Sequence, residues 1–401
     1  MEWVLKNCRL VTMNPTDTDL GYTPVDAAWI HICDGHIVAI GQGEPNTSLP
    51  SLDAQSKLVT PGLIDSHTHL VYAGNRANEF EQRLSGIPYS TIAKNGGGIL
   101  STVKATRNAS ENELIDISLP RIGALIRDGV TTVEIKSGYG LTLKDELKML
   151  RAAKALGNLA PVRVTTTLLA AHALPPEYSN RADAYISYIV DEIIPAAAEE
   201  KLADAVDVFC ENIAFSCEHM ARVFGAAKKH NLKIKGHTEQ LSNMGGSKLA
   251  AEMGACSVDH IEYLDEDGVK AMAENGTVGT LLPGAYFFLR ETQKPPVDLL
   301  RHYNVPMAIA TDFNPGTSPY ASVTLMMNMA CTQFGLTPCE AIQGTTVNAA
   351  KALGLSNIGF LAPGMAADIC VWDLEDPASI SYQFGLGVLR HRIFHGEYTH
   401  D

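Results

Sequence analysis

Hydrophobic and polar positions divide this chain into stretches of two textures. Over roughly the first sixty residues, short apolar or alternating runs are separated by turn residues. Val4 to Thr12, Ala28 to Cys33 and His36 to Ile40, with Asp34-Gly35 between the last two, predict a β-meander closed by a tight hairpin. The far end has the same character, in Asp368-Ile369-Cys370-Val371-Trp372 and Val388 to Phe394. Neither end buries enough apolar surface to be stable alone, so the two are expected to pair. That predicts one small β-sandwich domain built from residues 1–59 and 357–401.

Between them, over 60–356, strand-like runs alternate with helical periodicity. The strand candidates are Thr131 to Ile135, Val162 to Leu169, Ala205 to Cys210, Lys233 to Gly236, Ser257 to Asp259, Thr277 to Leu282 and Pro306 to Ala310. Lys144 to Leu156, Tyr185 to Lys201, Glu218 to His230 and Ser247 to Met253 are among the helices between them. With Leu58 to Ile64 as the first, the strands number eight, the count of an α/β (β/α)8 TIM-type barrel. An open doubly wound sheet is the rival, and the absence of a Gly-x-Gly-x-x-Gly turn weighs against it.

Composition narrows the class. A chain of 401 residues with 46% hydrophobic and 19% charged residues suits a globular enzyme. The 45 acidic residues outnumber 31 basic ones, which argues against nucleic acid or an anionic membrane as partner. A small anionic substrate stays open, since one local arginine can hold it. The eight cysteines are scattered without a Cys-x-x-Cys pair, so free thiols in a reducing compartment are expected. No run of about 18 apolar residues occurs, and the start lacks the basic-then-apolar order of a secretory signal. The expectation is a soluble, cytoplasmic protein.

The chemistry concentrates in Pro61-Gly62-Leu63-Ile64-Asp65-Ser66-His67-Thr68-His69. Residues two apart on a strand share a face, so His67 and His69 project together from a strand end, half of a transition-metal site. Other polar residues also follow predicted strands: Lys136-Ser137-Gly138-Tyr139-Gly140, His172, Cys210-Glu211-Asn212, His237, His260 and Asp312. In a barrel those ends form the face where sites are built. His67, His69, His237 and Asp312 make an N/O set for zinc or ferrous/ferric iron. Water activated by such an ion, its pKa lowered toward about 7, is a nucleophile at neutral pH. Asp312 is then a metal ligand and the proton acceptor, with His260 as alternative base or as a residue that only orients Asp312. Glu211 could bridge two metals, but with no lysine there a mononuclear site is favoured. Gln240, three residues past His237, is an amide that cannot donate and accept a proton as a carboxyl would. That disfavours ring deamination.

With these residues assembled, the chain resembles the amidohydrolase superfamily over nearly its whole length. The resemblance rests on Pro-Gly-x-Ile-Asp-x-His-x-His and on Leu361-Ala362-Pro363-Gly364-Met365-Ala366-Ala367-Asp368. Longer motifs are similar to the branch that hydrolyses the cyclic amide of 4-imidazolone-5-propanoate to N-formimidoyl-L-glutamate in L-histidine degradation. These are Gly96-Gly97-Gly98-Ile99 with Thr102 to Arg107, Lys136 to Leu141, Ala171 to Pro175, and Asp312 to Ser318. The resemblance implies one Zn2+ or Fe2+/Fe3+ per subunit and a homodimer. The substrate's propanoate needs a cation, and Arg76, seven residues past His69, can grip it with its guanidinium fork. The family pattern further places Tyr139, His172, Gln240, Asn314, Gly316 and Thr317 against the substrate. A ring aminohydrolase of the same superfamily is the alternative, and a catalytically dead scaffold would be expected to have lost ligands that are all present. Gly96-Gly97-Gly98 lacks the Lys-Ser/Thr of a phosphate loop and is read as a loop at the site mouth.

Overall fold

The computed structural model describes residues 1–87 and 96–399. Among the described residues, sixteen strands follow in chain order. They are β1 (Glu2–Leu10), β2 (Val25–Cys33), β3 (His36–Gln42), β4 (Ser51–Asp53), β5 (Leu58–Pro61), β6 (Leu63–Asp65), β7 (Val130–Lys136) and β8 (Arg163–Ala171), then β9 (Ala205–Cys210), β10 (Lys233–Thr238), β11 (Ser257–His260), β12 (Val278–Leu281), β13 (Met307–Ile309), β14 (Ile369–Trp372), β15 (Leu389–Phe394) and β16 (Glu397–Thr399). Strands β6 to β13 form one eight-stranded sheet in sequence order, and every pairing within it is parallel.

Helices lie between successive strands, so the sheet curls toward closure, and the seam is sealed just beyond the strand ends. There Thr68 and Phe313 form a parallel bridge, Asp312 N–H donates to His67 O at 2.9 Å, and His69 N–H donates to Phe313 O at 2.9 Å. The Asp65 carboxylate adds side-chain bonds, accepting from Thr311 N at 3.0 Å and Thr311 Oγ1 at 2.6 Å. The segment that carries two histidines is thus stitched directly to the one that carries Asp312.

The other strands make a separate mixed sheet in the order β16-β15-β14-β5-β1-β2-β3, with β4 beside β1. The chain ends meet as expected: β14 runs antiparallel to β5, from Ile369 opposite Pro61 to Trp372 opposite Leu58. Its apolar face buries Trp3, Leu5, Ile30, Ile32, Val59 and Val371. The Asp34-Gly35 hairpin forms with both turn residues at positive φ, 47° and 80°, as a two-residue turn of this hand requires.

Two elements differ from the sequence reading. The run Leu58 to Ile64 is not one strand: β5 belongs to the mixed sheet and β6 to the barrel. The chain changes sheets at Gly62, where a Cβ would stand 2.3 Å from Thr131 Cγ2, so only glycine permits the passage. The single helix expected over Tyr185 to Lys201 is α-helical over Ala182–Tyr188 and Ile194–Glu199, with a π turn at Ile189–Ile193 between. Pro195 has no N–H to continue the α ladder, and a wider turn takes up the break.

Candidate active site

His67 and His69 follow β6, His237 lies near the end of β10, and Asp312 follows β13; all four are buried. Their free ends converge. His67 Nε2 lies 3.2 Å from His69 Nε2, and His237 Nε2 lies 3.3 Å from the same atom. Asp312 Oδ1 is 3.5 Å from His67 Nε2 and 3.4 Å from His69 Nε2. Four donors tetrahedrally placed about 2.05 Å from one ion would be separated by about 3.3 Å, and these four separations match that spacing.

Protonation supports that fit. His67 Nδ1 faces Asp259 Oδ2 at 2.7 Å and His237 Nδ1 faces Asp207 Oδ2 at 2.9 Å. Each carboxylate calls for the proton on Nδ1, leaving the Nε2 lone pairs of both rings aimed at His69 Nε2. Lone pairs facing each other at this range are repulsive unless a proton or a cation lies between them. Burial, with the Lys136 ammonium acting in the same sense, keeps His67 and His69 well below the ordinary histidine value, so both rings are neutral. Burial pushes the Asp312 carboxyl well up in the protein alone, and a nearby cation acts in the opposite sense.

Behind the imidazoles lies a buried charge network that the sequence reading missed. Lys136 Nζ meets Asp207 Oδ2 at 2.8 Å and Glu134 Oε2 at 3.0 Å. Lys235 Nζ meets Glu134 Oε2 and Ser66 O, both at 2.9 Å. Two ammonium groups face three carboxylates (Glu134, Asp207, Asp259), so the network is formally one unit negative, which favours a cation nearby. Although burial opposes ionisation, Lys235 and Lys136 hold the Asp259 carboxyl down at about 2. The available signal was period two: Glu134/Lys136 and Lys235/His237 put pairs of polar side chains on one face of otherwise apolar strands.

His260 ends β11 with its ring 5.4 Å from that of His237 and 5.8 Å from that of His67. Burial keeps it neutral, and its Nδ1 has no partner. His260 and Asp312 both have left-handed backbones, φ 81° and 51°. Such conformations cost on the order of 1 kcal/mol or more for a non-glycine residue and gather at functional sites. Two residues on, Glu262 is buried with Oε2 unpartnered, and burial pushes its carboxyl well up.

Of the expected substrate residues, His172 and Tyr139 stand beside the cluster. His172 stacks on His69, with ring centres 5.3 Å apart, and its Nδ1 is 3.0 Å from Gly138 O. Donation there leaves Nε2 as an acceptor, and burial together with His237 lowers the ring to about 4. Tyr139 is buried with its ring 5.4 Å from that of His172, and burial, then Asp312, raises its hydroxyl so that it stays protonated. Its loop is clamped by another residue absent from the sequence reading: the buried Glu146 carboxylate accepts from the N–H groups of Gly138, Gly140 and Leu141 at 3.1, 2.9 and 2.7 Å. Gln240 is half-buried on the loop after β10.

Asn314 spends its side chain on its own loop. Its Oδ1 accepts from the N–H groups of Gly316 and Thr317, both at 2.8 Å, and its Nδ2 donates to Asp312 O at 2.6 Å. Gly316 is explained by close approach, since a Cβ there would lie 2.1 Å from Arg76 Nη1. Arg76 and Gly316 also line a cavity of about 420 Å³ with Tyr72, Phe80, Phe288 and Tyr320. Glu211 accepts from Leu241 N at 2.9 Å and Ser242 Oγ at 2.6 Å, so it anchors the loop bearing Gln240, which fits a site with one metal.

This fold and site define a metal-dependent hydrolase of the (β/α)8 class. The chain belongs to the amidohydrolase family, whose model matches residues 58–396. A solved 5-methylcytosine deaminase from Klebsiella pneumoniae superposes with a TM-score of 0.74 over 98% of this chain and 97% of its own, at 16% identity, a likeness of fold alone. The curated relatives are nearer: an imidazolonepropionase of Vibrio cholerae serotype O1 is 60% identical, with 100% of both chains covered. Another, from Vibrio campbellii, is 59% identical over 100% of this chain and 99% of its own.

Proposed function

We propose that the chain hydrolyses the cyclic amide of 4-imidazolone-5-propanoate to N-formimidoyl-L-glutamate, a step in L-histidine degradation. The observation that carries this reading is the ion-sized group of His67, His69 and Asp312, with His237 3.3 Å from His69, joined through one short loop to the guanidinium of Arg76. The shared name of the relatives supports it. An amide at position 240 weighs against ring deamination.

His67, His69 and His237 through Nε2, with Asp312 through Oδ1, would hold one Zn2+ or Fe2+/Fe3+ per subunit. When bound, such an ion acidifies water and polarises the ring carbonyl. Asp312 takes the proton of the attacking water as its oxygen bonds to the ring carbonyl carbon. As the ring C–N bond breaks, the electron pair stays on nitrogen, and Asp312 or His260 delivers the proton that nitrogen needs. The former carbonyl carbon stays in the product as a carboxyl group, which ionises by losing the water's second proton to solvent. Arg76 grips the propanoate, the Tyr139 hydroxyl donates to the substrate, and His172 Nε2 accepts a ring N–H. Gln240 supplies an uncharged hydrogen-bonding partner. Gly316 and Thr317, held by Asn314, shape the wall beside the carboxylate.

The test is the decay of imidazolone absorbance on mixing substrate with metal-loaded protein. Chelated protein and His237→Ala serve as controls. Rapid decay to formiminoglutamate, lost in both controls, is expected. A protein that holds one metal yet leaves the ring intact would move the reading to another cyclic amide carrying a carboxylate.

A further inference from the structure

Arg76 is held on one edge. Its Nε and Nη2 meet Glu79 Oε2 at 2.9 and 2.8 Å, while Nη1 rests against Gly316 without an acceptor among the described residues. Glu79 also accepts from Gly98 N–H at 3.1 Å and, through Oε1, from Ser101 Oγ at 3.0 Å. A plain surface pair three residues apart on a helix contributes little. This pair is different: its side chains are only 15% and 14% exposed, and the carboxylate collects donors from two separate segments.

We propose that Glu79 is the positioning residue of the carboxylate clamp. It occupies the Nε–Nη2 edge of Arg76, presents Nη1 to an anionic substrate, and ties that geometry to the Gly96–Gly98 turn. The inference rests on the reading of the cleft as a propanoate-binding hydrolase site.

An arginine side chain has many rotamers, and ordering it on binding costs affinity. Glu79 meets that cost before substrate arrives. It does so without occupying the free nitrogen, because the missing Cβ of Gly316 leaves room for Nη1 beside the loop. That loop leads back to Asp312 through Asn314, and Tyr139 feels the charges of both Asp312 and Arg76. One loop thus joins the Arg76 end of the cleft to Asp312.

The experiment compares wild type, Glu79→Gln and Glu79→Asp as metal-loaded proteins. Calorimetry measures the affinity of imidazole-4-propanoate, which cannot be hydrolysed, and of imidazole lacking the chain. Glu79→Gln is expected to weaken the propanoate ligand by about tenfold or more and to leave imidazole unchanged, as loss of a charge-assisted contact predicts. Glu79→Asp, with the charge kept and the reach shortened, should fall between. With the true substrate, KM should rise in parallel while kcat stays within about threefold. Equal weakening of both ligands, or of neither, would overturn the proposal. Failure of the broader reading looks different: wild type would leave the imidazolone ring intact while propanoate binding still depended on Glu79.

Discussion

At the scale of single residues, Arg76 and Gly316 are one device made of two side chains, one of them a hydrogen atom. Arg76→Ala removes a charge-assisted grip and should reduce kcat/KM for the propanoate-bearing substrate by about a hundredfold. It should leave metal content intact, because Arg76 touches none of the four clustered ligands; metal loss in that variant would refute its role as clamp. Gly316→Ala brings a methyl group where Arg76 Nη1 already lies, 2.1 Å from the new Cβ. Backbone strain is not the issue, since Gly316 is not among the positive-φ residues. The expected result is a KM increase of about tenfold, as overpacking of this kind costs roughly 1–3 kcal/mol, with kcat nearly unchanged. A fall in kcat alone would show that the loop, not the arginine, had moved. Arg76 as a candidate came from its distance past His69. The reason for glycine at 316 was not, because close approach of a residue 240 positions away leaves no mark in local sequence.

At the scale of elements, the strands carry the chemistry and buried carboxylates hold what the strands present. Glu146 clamps the loop after β7, and Glu211 clamps the loop after β10. Asp207 and Asp259, on β9 and β11, hold the imidazoles of His237 and His67. Asp259 allows a pH test. Its folded value of about 2 lies below the ordinary 3.8, so between those values the unfolded chain binds a proton that the native one does not. Its contribution is complete above about pH 4 and is lost as pH falls through about 2, amounting to roughly 2 kcal/mol. Urea unfolding of metal-free protein should show Asp259→Asn less stable at neutral pH, with the gap narrowing toward the acid end. Curves that stay parallel would remove Asp259 as the source.

At the scale of the whole molecule, the barrel closes where the site is. The backbone bridges between Thr68 and Phe313, and from Asp312 to His67, join the first barrel strand to the last and bring His67, His69 and Asp312 onto one seam. An ion at that seam would bind the native state and not the unfolded chain, so metal content and stability are linked. Chelation should therefore lower Tm by several degrees as well as abolish turnover, and added Zn2+ or Fe2+ should restore both. An unchanged Tm in protein proved metal-free would argue against a centre held by both ends of the barrel. No helix among the described residues is long and apolar enough to cross a membrane.

What the sequence alone determined was periodic and local. Short, mostly apolar runs between helical stretches located the strands of the barrel, most to within two residues, because parallel strands buried on both faces are written as near-continuous apolar segments. His67, His69, His237, His260 and Asp312 were recognisable because each interrupts or ends such a run. The tertiary structure alone decided which sheet each half of Leu58–Ile64 joins, since that turns on the space Thr131 leaves beside Gly62. It also decided which carboxylate holds which imidazole, and that Lys136 and Lys235 offset all but one unit of the carboxylate charge. Those partners stand far apart in sequence, and only closure of the barrel brings their charges into a water-poor interior where they must pair.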